Sequence, residues 1–75
     1  IKQRVVAMEW FERLKEARLK AGLSQAEAAK AMGYKAAASY QQYELGKRVP
    51  SLLLAARMCD IFNISLDWLA CREVD

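Results

Sequence analysis

The sequence predicts an all-α fold, a compact bundle of five short helices. The chain has 75 residues and is 55% hydrophobic, yet it contains only 3 Gly and 1 Pro, a composition typical of helices rather than of loops or disorder. Its apolar residues recur at intervals of three and four, and no stretch shows the alternation of a half-buried strand. Residues that begin and end helices separate these stretches.

The first helix is predicted between Met8 and Ala21, with Gly22 ending it in a left-handed conformation. One face of this segment is apolar at spacings of four, three and four, with an aromatic neighbour: Trp10, Leu14, Ala17 and Ala21, beside Phe11. Such a face is expected to be buried. Residues 1–7, IKQRVVA, are expected to be an N-terminal arm or to precede an original start at Met8, and we assign them no role. The domain then spans residues 8–75.

The second helix is predicted from Gln25 to Met32. Ser24 and Glu27 have the spacing of a capping box, and Leu23 before the cap can pack onto Ala28 as a hydrophobic staple. The predicted inward face consists of Ala28, Ala29 and Met32. Small alanine side chains allow another helix to cross closely, and Gly33 ends the helix.

The third helix, Ala36 to Leu45, lies within the segment GYKAAASYQQYELG and is expected to be short and exposed. Most of its residues are good helix formers, and Gly46 provides the position after its end. Gln41 and Gln42 stand side by side, and glutamine can bond bidentately to an adenine edge. The alternative is an Ala-rich helix that serves only packing.

Two further helices complete the predicted bundle. Ser51 caps a helix from Leu52 to Phe62, and Asn63 replaces glycine after its end. The expected inward face of this helix is Leu52, Ala55, Met58, Cys59 and Phe62. Ser65 caps a last helix, from Leu66 to about Cys71, in which Leu66 and Leu69 can close the core.

Charge and composition restrict the function classes. Residues 1–57 carry eleven Lys and Arg against five Asp and Glu, a net +6, whereas residues 58–75 carry one against four, a net −3. This asymmetry fits a polyanion-binding protein with one face turned away. The chain has no His, no recognisable pair of catalytic acids and no Gly-rich phosphate loop, so we expect no enzyme and no cofactor.

The two cysteines, Cys59 and Cys71, are predicted to be buried, unreactive thiols rather than a disulfide or metal site. Such a chain suits a reducing cytoplasm. No apolar run reaches the roughly 20 residues of a membrane span.

Three segments in order, GLSQAEAAKAMG, YELGKRVPS and NISLDWL, resemble the Cro/CI-type helix-turn-helix family of phage repressors and related regulators, also called XRE-like or lambda-repressor-like. The resemblance covers about Met8 to Leu69. It implies that the helix at Gln25–Met32 crosses the phosphate backbone of double-stranded DNA. The helix at about Ala37 to Leu45 would then lie in the major groove.

The resemblance also implies individual roles. Counting back from Gly46, the base-reading positions are Ala37, Ala38, Ser39 and Gln42, with Gln41 at the edge. The expected phosphate contacts are Gln25, Lys35, Lys47 and Arg48. Arg18 and Glu44 correspond to a pair that forms a structural ion pair in several family members.

The sequence departs from the family pattern twice. The segment between Gly33 and Gly46 is one residue longer than usual, so counting forward from Gly33 would move the first reading position to Ala36. Alanines also occupy positions that often carry polar readers. They can touch thymine methyl groups, while much of the specificity would come from DNA shape.

The resulting expectation is a transcriptional repressor or regulator of phage or bacterial type that acts by occupying DNA, with no small-molecule ligand and no membrane. A homodimer is expected through apolar residues near the C-terminal end: Leu53, Leu54, Ile61 and Trp68. The alternative for this surface is that two or more of the four pack inward. The alternative function is a protein-interaction or antitoxin-type module with weak or no base reading, motivated by these apolar residues and Leu19.

Overall fold

A computed structural model describes residues 9–72, which form five α-helices and no strand. The helices are α1 (Trp10–Lys20), α2 (Gln25–Ala31), α3 (Ala37–Glu44), α4 (Leu52–Phe62) and α5 (Leu66–Leu69). The predicted all-α class is therefore confirmed, and the helices follow the predicted order. The N-terminal arm predicted at residues 1–7 lies outside the described residues. Within the described part of the chain, no helix has the length and apolar character needed to cross a membrane.

Serine side chains cap three of the helices where the sequence predicted them. The Ser24 hydroxyl accepts from the Glu27 backbone N–H at 3.0 Å, and the Glu27 carboxylate accepts from the Ser24 N–H at 2.8 Å. Hydrogen bonding from the Ser24 backbone, and then from its side chain, lowers the pKa of Glu27. Ser51 and Ser65 cap α4 and α5 through the N–H three residues on. These caps satisfy N–H groups that a helix leaves without partners.

Left-handed residues follow α3 and α4. Asn63 after α4 has a φ of 57°, and Gly46 after α3 has a φ of 74°. A Cβ atom added at Gly46 would lie 2.8 Å from Cδ2 of Phe11 on α1. Gly46 is therefore required both by its backbone conformation and by the close approach of α1.

The core lies where α1 meets α3, α4 and α5, and where α2 packs against α3. Leu14, Tyr40 and Met58 are its most deeply buried large side chains. The remaining buried members of the cluster come from every helix: Ala17, Ala28, Ala29, Met32, Tyr43, Cys59, Phe62 and Leu69. The predicted inward face of the second helix, Ala28, Ala29 and Met32, is thus buried.

Four residues expected inside the fold are exposed: Ala21, Leu52, Leu66 and Cys71. Ala21 lies beyond the last residue of α1, and Leu52, at the first turn of α4, is 70% exposed because it lies at the edge of the core. Cys59 is buried as predicted, but Cys71 is exposed because α5 ends at Leu69, before it reaches this position. Cys59 and Cys71 are not joined by a disulfide.

Candidate nucleic-acid interface

Helix α3 begins at Ala37, and Ala36 is its N-cap with extended backbone angles (φ −121°, ψ 141°). The additional residue of this segment is therefore accommodated in the turn between α2 and α3. Ala36, the first reading position in the count forward from Gly33, lies outside the helix. Counting back from Gly46 instead gives positions that all lie within α3.

One side of α3 is open to solvent and the opposite side is buried. Tyr40, Tyr43 and Glu44 face the core. At 100° per residue, Ala38, Ser39 and Gln42 lie within one arc of about 100° on the other side, with Gln41 at its edge. Ala38 is exposed and the three polar residues are half-buried. Ala37, seven residues before Glu44, lies within about 20° of it around the helix axis, on the buried side rather than the open one.

The polar side chains of this face have no partners within the described part of the chain. Ser39, Gln41 and Gln42 form no side-chain hydrogen bond with any residue between 9 and 72. Their hydroxyl and amide groups are therefore free to bond to an external surface. The structure brings together four of the five predicted base-reading residues, Ala38, Ser39, Gln41 and Gln42.

The buried side of α3 is attached to α1 by Arg18 and Glu44. The Arg18 guanidinium donates from Nε and Nη2 to the two Glu44 carboxylate oxygens at 2.6 and 3.2 Å. Its Nη1 donates to the Leu23 carbonyl at 2.8 Å. Both side chains are buried. The pair that the resemblance implied is thus present, and it joins two helices and the turn between α1 and α2.

Two more side chains complete the coordination of the Glu44 carboxylate. The Tyr40 hydroxyl donates to Oε2 at 2.5 Å, and the Gln25 amide donates to Oε1 at 3.0 Å. Desolvation opposes ionisation of Glu44, but hydrogen bonds from Arg18, Tyr40 and Gln25 outweigh it and lower the pKa of the carboxyl group. Glu44 is therefore charged at neutral pH, as a buried carboxylate with four donors should be.

The role predicted for Gln25 changes with this contact. As the first residue of α2, Gln25 is expected from the resemblance to meet a phosphate, and the sequence predicts no internal partner for it. One of its two amide N–H groups is used by Glu44. The second N–H is still available, so Gln25 can link the buried network to a ligand at the surface.

The three predicted phosphate-binding cations are exposed and lie at both ends of α3. Lys35 precedes the helix, and Lys47 and Arg48 follow it. The backbone N–H groups of Lys47 and Arg48 donate to the Gln42 carbonyl at 3.0 and 3.3 Å. The loop that carries these two cations is therefore fixed to the last turn of α3.

A pair of tyrosines that the sequence did not predict lies beside this loop. The hydroxyl oxygens of Tyr34 and Tyr43 lie 3.0 Å apart, and their ring centroids are separated by 6.4 Å. The guanidinium carbon of Arg48 lies 5.2 Å from the centroid of the Tyr43 ring. No periodic signal could have paired the tyrosines, because Tyr34 lies in a turn outside any helix.

The predicted dimer surface needs correction. Leu53 is 81% exposed, but Leu54, Ile61 and Trp68 are partly buried against the core. Trp68 is held by α1, since Arg13 donates to its carbonyl at 2.7 Å and lies 5.1 Å from its ring centroid. The packing of α5 against α1 and α4 accounts for this burial. The other exposed large apolar side chains between residues 45 and 66 are Leu45, Val49, Leu52 and Leu66.

Comparison with known proteins agrees with this geometry. A sequence profile of the family HTH_3, described as helix-turn-helix, matches residues 14–69, most of the chain. A comparison with curated proteins finds no significant match. The matched region contains α2, α3 and the turn between them, together with the Arg18–Glu44 pair. The chain therefore belongs to the Cro/CI-like helix-turn-helix family of DNA-binding regulators.

Proposed function

We propose that this protein is a sequence-specific regulator of transcription, acting as a repressor by occupying double-stranded DNA. The main support for this proposal is that α3 has one buried side and one side open to solvent. Its buried side is fixed by the Glu44 network, whereas Ser39, Gln41 and Gln42 on its open side have no partner among the described residues. A rigid helix with free amide and hydroxyl groups suits base recognition in the major groove.

Direct readout in this proposal is limited to a few side chains. Gln42 and Ser39 bond to base edges, with Gln41 at the edge of the contact. Ala37 and Ala38 offer only methyl groups, which suit thymine. The remaining specificity would come from the sequence-dependent shape and deformability of the DNA.

Phosphate contacts are assigned to the residues that flank α3. Lys35, Lys47 and Arg48 are exposed cations at its two ends. Gln25 adds its free amide N–H from the start of α2, where the helix dipole also favours an anion. These contacts would fix the register of α3 without reading sequence.

We further propose a homodimer. An eight-residue helix is about 12 Å long, so one copy reads only a few base pairs. Helix-turn-helix proteins usually bind as dimers to half-sites about 34 Å apart. Leu53, Val49, Leu52 and Leu66 are the exposed apolar residues that a second copy could cover. Leu53 remains from the expected set, and Val49, Leu52 and Leu66 replace Leu54, Ile61 and Trp68.

The same exposed apolar residues favour a second candidate, a protein-interaction or antitoxin-type module in which base reading is weak. The two functions differ in their dependence on salt. A DNA-binding regulator should bind duplex DNA at low salt and release it steeply as salt rises, because phosphate contacts displace counterions. A module that binds only protein should show no such dependence.

Selection of bound duplexes from a random pool tests the proposal most directly. We expect enrichment of one sequence with two-fold symmetry, from two copies of α3 on two half-sites. The matched control is the double variant Ser39→Ala, Gln42→Ala, which retains the phosphate contacts and should retain DNA without enriching that sequence. Failure of the parent chain to retain any duplex at low salt would contradict the proposal. As a DNA-binding regulator, the protein would act in the cytoplasm, beside its DNA site.

A further inference from the structure

The tyrosine pair beside α3 has a hydroxyl proton with no acceptor in the described part of the chain. Two phenols that share one hydrogen bond use one of their two protons. Tyr34 and Tyr43 form no other hydrogen bond with residues 9–72. One O–H group of the pair is therefore directed to solvent or to a ligand.

Burial distinguishes the two tyrosines. Tyr43 is only 3% exposed, whereas Tyr34 is half-buried and lies in the turn before α3. Either hydroxyl can donate in the bond between them, but Tyr34 is the more accessible residue to a ligand outside the protein. When Tyr43 donates, the Tyr34 O–H is the outward donor, and the bond that it accepts polarises it. The hydrogen bond with Tyr34, followed by desolvation, raises the pKa of Tyr43, so the Tyr43 hydroxyl is protonated at neutral pH.

A cation lies next to this donor. The Arg48 guanidinium stacks over the Tyr43 ring at 5.2 Å, and no carboxylate pairs with it among the described residues. Its charge acts on the Tyr43 hydroxyl in the direction that lowers the pKa, opposite to the larger effect of Tyr34. The three groups come from the turn before α3, its last turn and the loop after it, and they converge at one flank of the helix.

We infer that Tyr34, Tyr43 and Arg48 form a phosphate-binding site, in which the Tyr34 O–H and the Arg48 guanidinium donate to the same backbone phosphate of the bound duplex. Tyr43 is a positioning residue, since its hydroxyl orients Tyr34 and its ring orients Arg48. An anionic phosphate fits because the site presents donors and one positive charge and no acidic group. This inference rests on the proposed DNA-binding function.

The test compares binding of the full chain to the selected duplex and to random duplex over a series of salt concentrations. Tyr34→Phe should weaken binding to both by roughly 10-fold, the order expected for one hydrogen bond to a charged group. The slope of log affinity against log salt should not change, because a neutral donor displaces no counterion. Arg48→Gln should also weaken both, and it should reduce that slope by about 0.9.

Matched controls separate the site from effects on folding. Tyr34→Phe leaves the Tyr43 hydroxyl without a partner, so the double variant Tyr34→Phe, Tyr43→Phe removes both groups and should show the same loss of binding with less loss of thermal stability. Arg57→Gln removes an exposed cation from α4 and measures the effect of charge alone.

Selected duplexes that carry a single neutral methylphosphonate at successive positions locate the contact. A methylphosphonate at one position should strongly reduce the affinity of the parent for the duplex. The same modification should reduce the affinity of Tyr34→Phe and Arg48→Gln much less. Equal affinity of the parent and Tyr34→Phe would overturn the site, as would loss of affinity in Tyr34→Phe with an unchanged methylphosphonate profile. In both cases the proposed function would stand, because the parent still binds. A parent that binds no duplex would overturn the function and the site together.

Discussion

At the scale of single residues, the Glu44 carboxylate connects three helices of the domain. Its two oxygens accept from Arg18, Tyr40 and Gln25, which belong to α1, α3 and α2. A buried carboxylate is stable only when its charge is paired and its lone pairs are satisfied. Both conditions hold here, so removing the charge of Glu44 should destabilise the fold.

Glu44→Gln should lower the free energy of unfolding by about 3 kcal/mol at neutral pH, because Arg18 would be buried without an anion. The pKa of Glu44 is lowered in the fold, so its ionisation stabilises the protein above the unfolded value of 4.5. That contribution disappears as pH falls from there through the lower folded value. Urea unfolding at pH values from neutral down to about 3 should therefore show the parent and Glu44→Gln converging.

The matched control for this experiment is Glu27→Gln. Glutamine also serves at the third position of a capping box, and Glu27 is exposed. Its effect at neutral pH should be much smaller than that of Glu44→Gln. Curves for the parent and Glu44→Gln that stay parallel over the whole range would show that the Glu44 charge does not stabilise the fold.

Gln42→Ala should weaken binding to the selected duplex by about 1 to 3 kcal/mol and binding to random duplex much less, because a bidentate amide distinguishes one base pair from others. Lys47→Ala is the control and should weaken both alike, since a phosphate contact carries no sequence information. Fluorescence titration of both variants on both duplexes measures this. Equal losses for Gln42→Ala on the two duplexes would place base reading at other positions.

At the scale of elements, α3 is held at several points. The Glu44 network ties it to α1 and α2, and the loop after it is tied to the Gln42 carbonyl. Gly46 brings this loop against Phe11 on α1. An eight-residue helix is too short to be stable alone in water. Its rigidity, and so its ability to present Gln42 in one orientation, must come from these attachments.

Gly46→Ala and Gly22→Ala form a matched pair that measures the attachment to α1. Both glycines have positive φ, 74° and 77°, so alanine costs about 1 to 2 kcal/mol of backbone strain at each. A Cβ at Gly22 meets nothing within 4 Å, whereas one at Gly46 meets Phe11 at 2.8 Å. We expect Gly46→Ala to be the more destabilising variant in thermal unfolding. Equal losses would mean that Phe11 moves aside freely.

At the scale of the whole molecule, the arrangement of charge is asymmetric. The first 57 residues carry a net +6 and the last 18 a net −3. The cations assigned to DNA flank α3, whereas Asp60 and Asp67 lie on α4 and α5. Leu53 and Leu66 also lie on α4 and α5, so association of two copies through these helices would leave the α3 surfaces free for DNA.

Leu53→Glu should weaken self-association, because it places a charge within the proposed dimer surface. Sedimentation at high protein concentration should show a smaller dimer fraction than for the parent. Leu19→Glu is the control, since Leu19 is 58% exposed on α1, and it should leave association unchanged. A parent that stays monomeric and binds a half-site as tightly as the full palindrome would contradict the dimer.

Local structure was predictable because its causes lie within a few residues of each other. The Ser24–Glu27 capping box, the serine caps of α4 and α5, and the left-handed Asn63 each depend on neighbouring groups. The apolar periodicity that buries Leu14, Ala28 and Met58 is likewise a property of one helix at a time. These features were enough to determine the all-α class and the order of the helices.

The tertiary structure decided what depends on which surfaces meet. Gln25 and Glu44 are 19 residues apart, and Tyr34 and Tyr43 belong to different segments, so no local pattern links them. The resemblance implied the Arg18–Glu44 pair, but only the packing of α1 on α3 shows that it is buried. For the same reason, Trp68 is covered while Leu52 is exposed. Burial of an apolar residue depends on which other helix packs against it. The sequence of the residue's own helix does not specify that other helix.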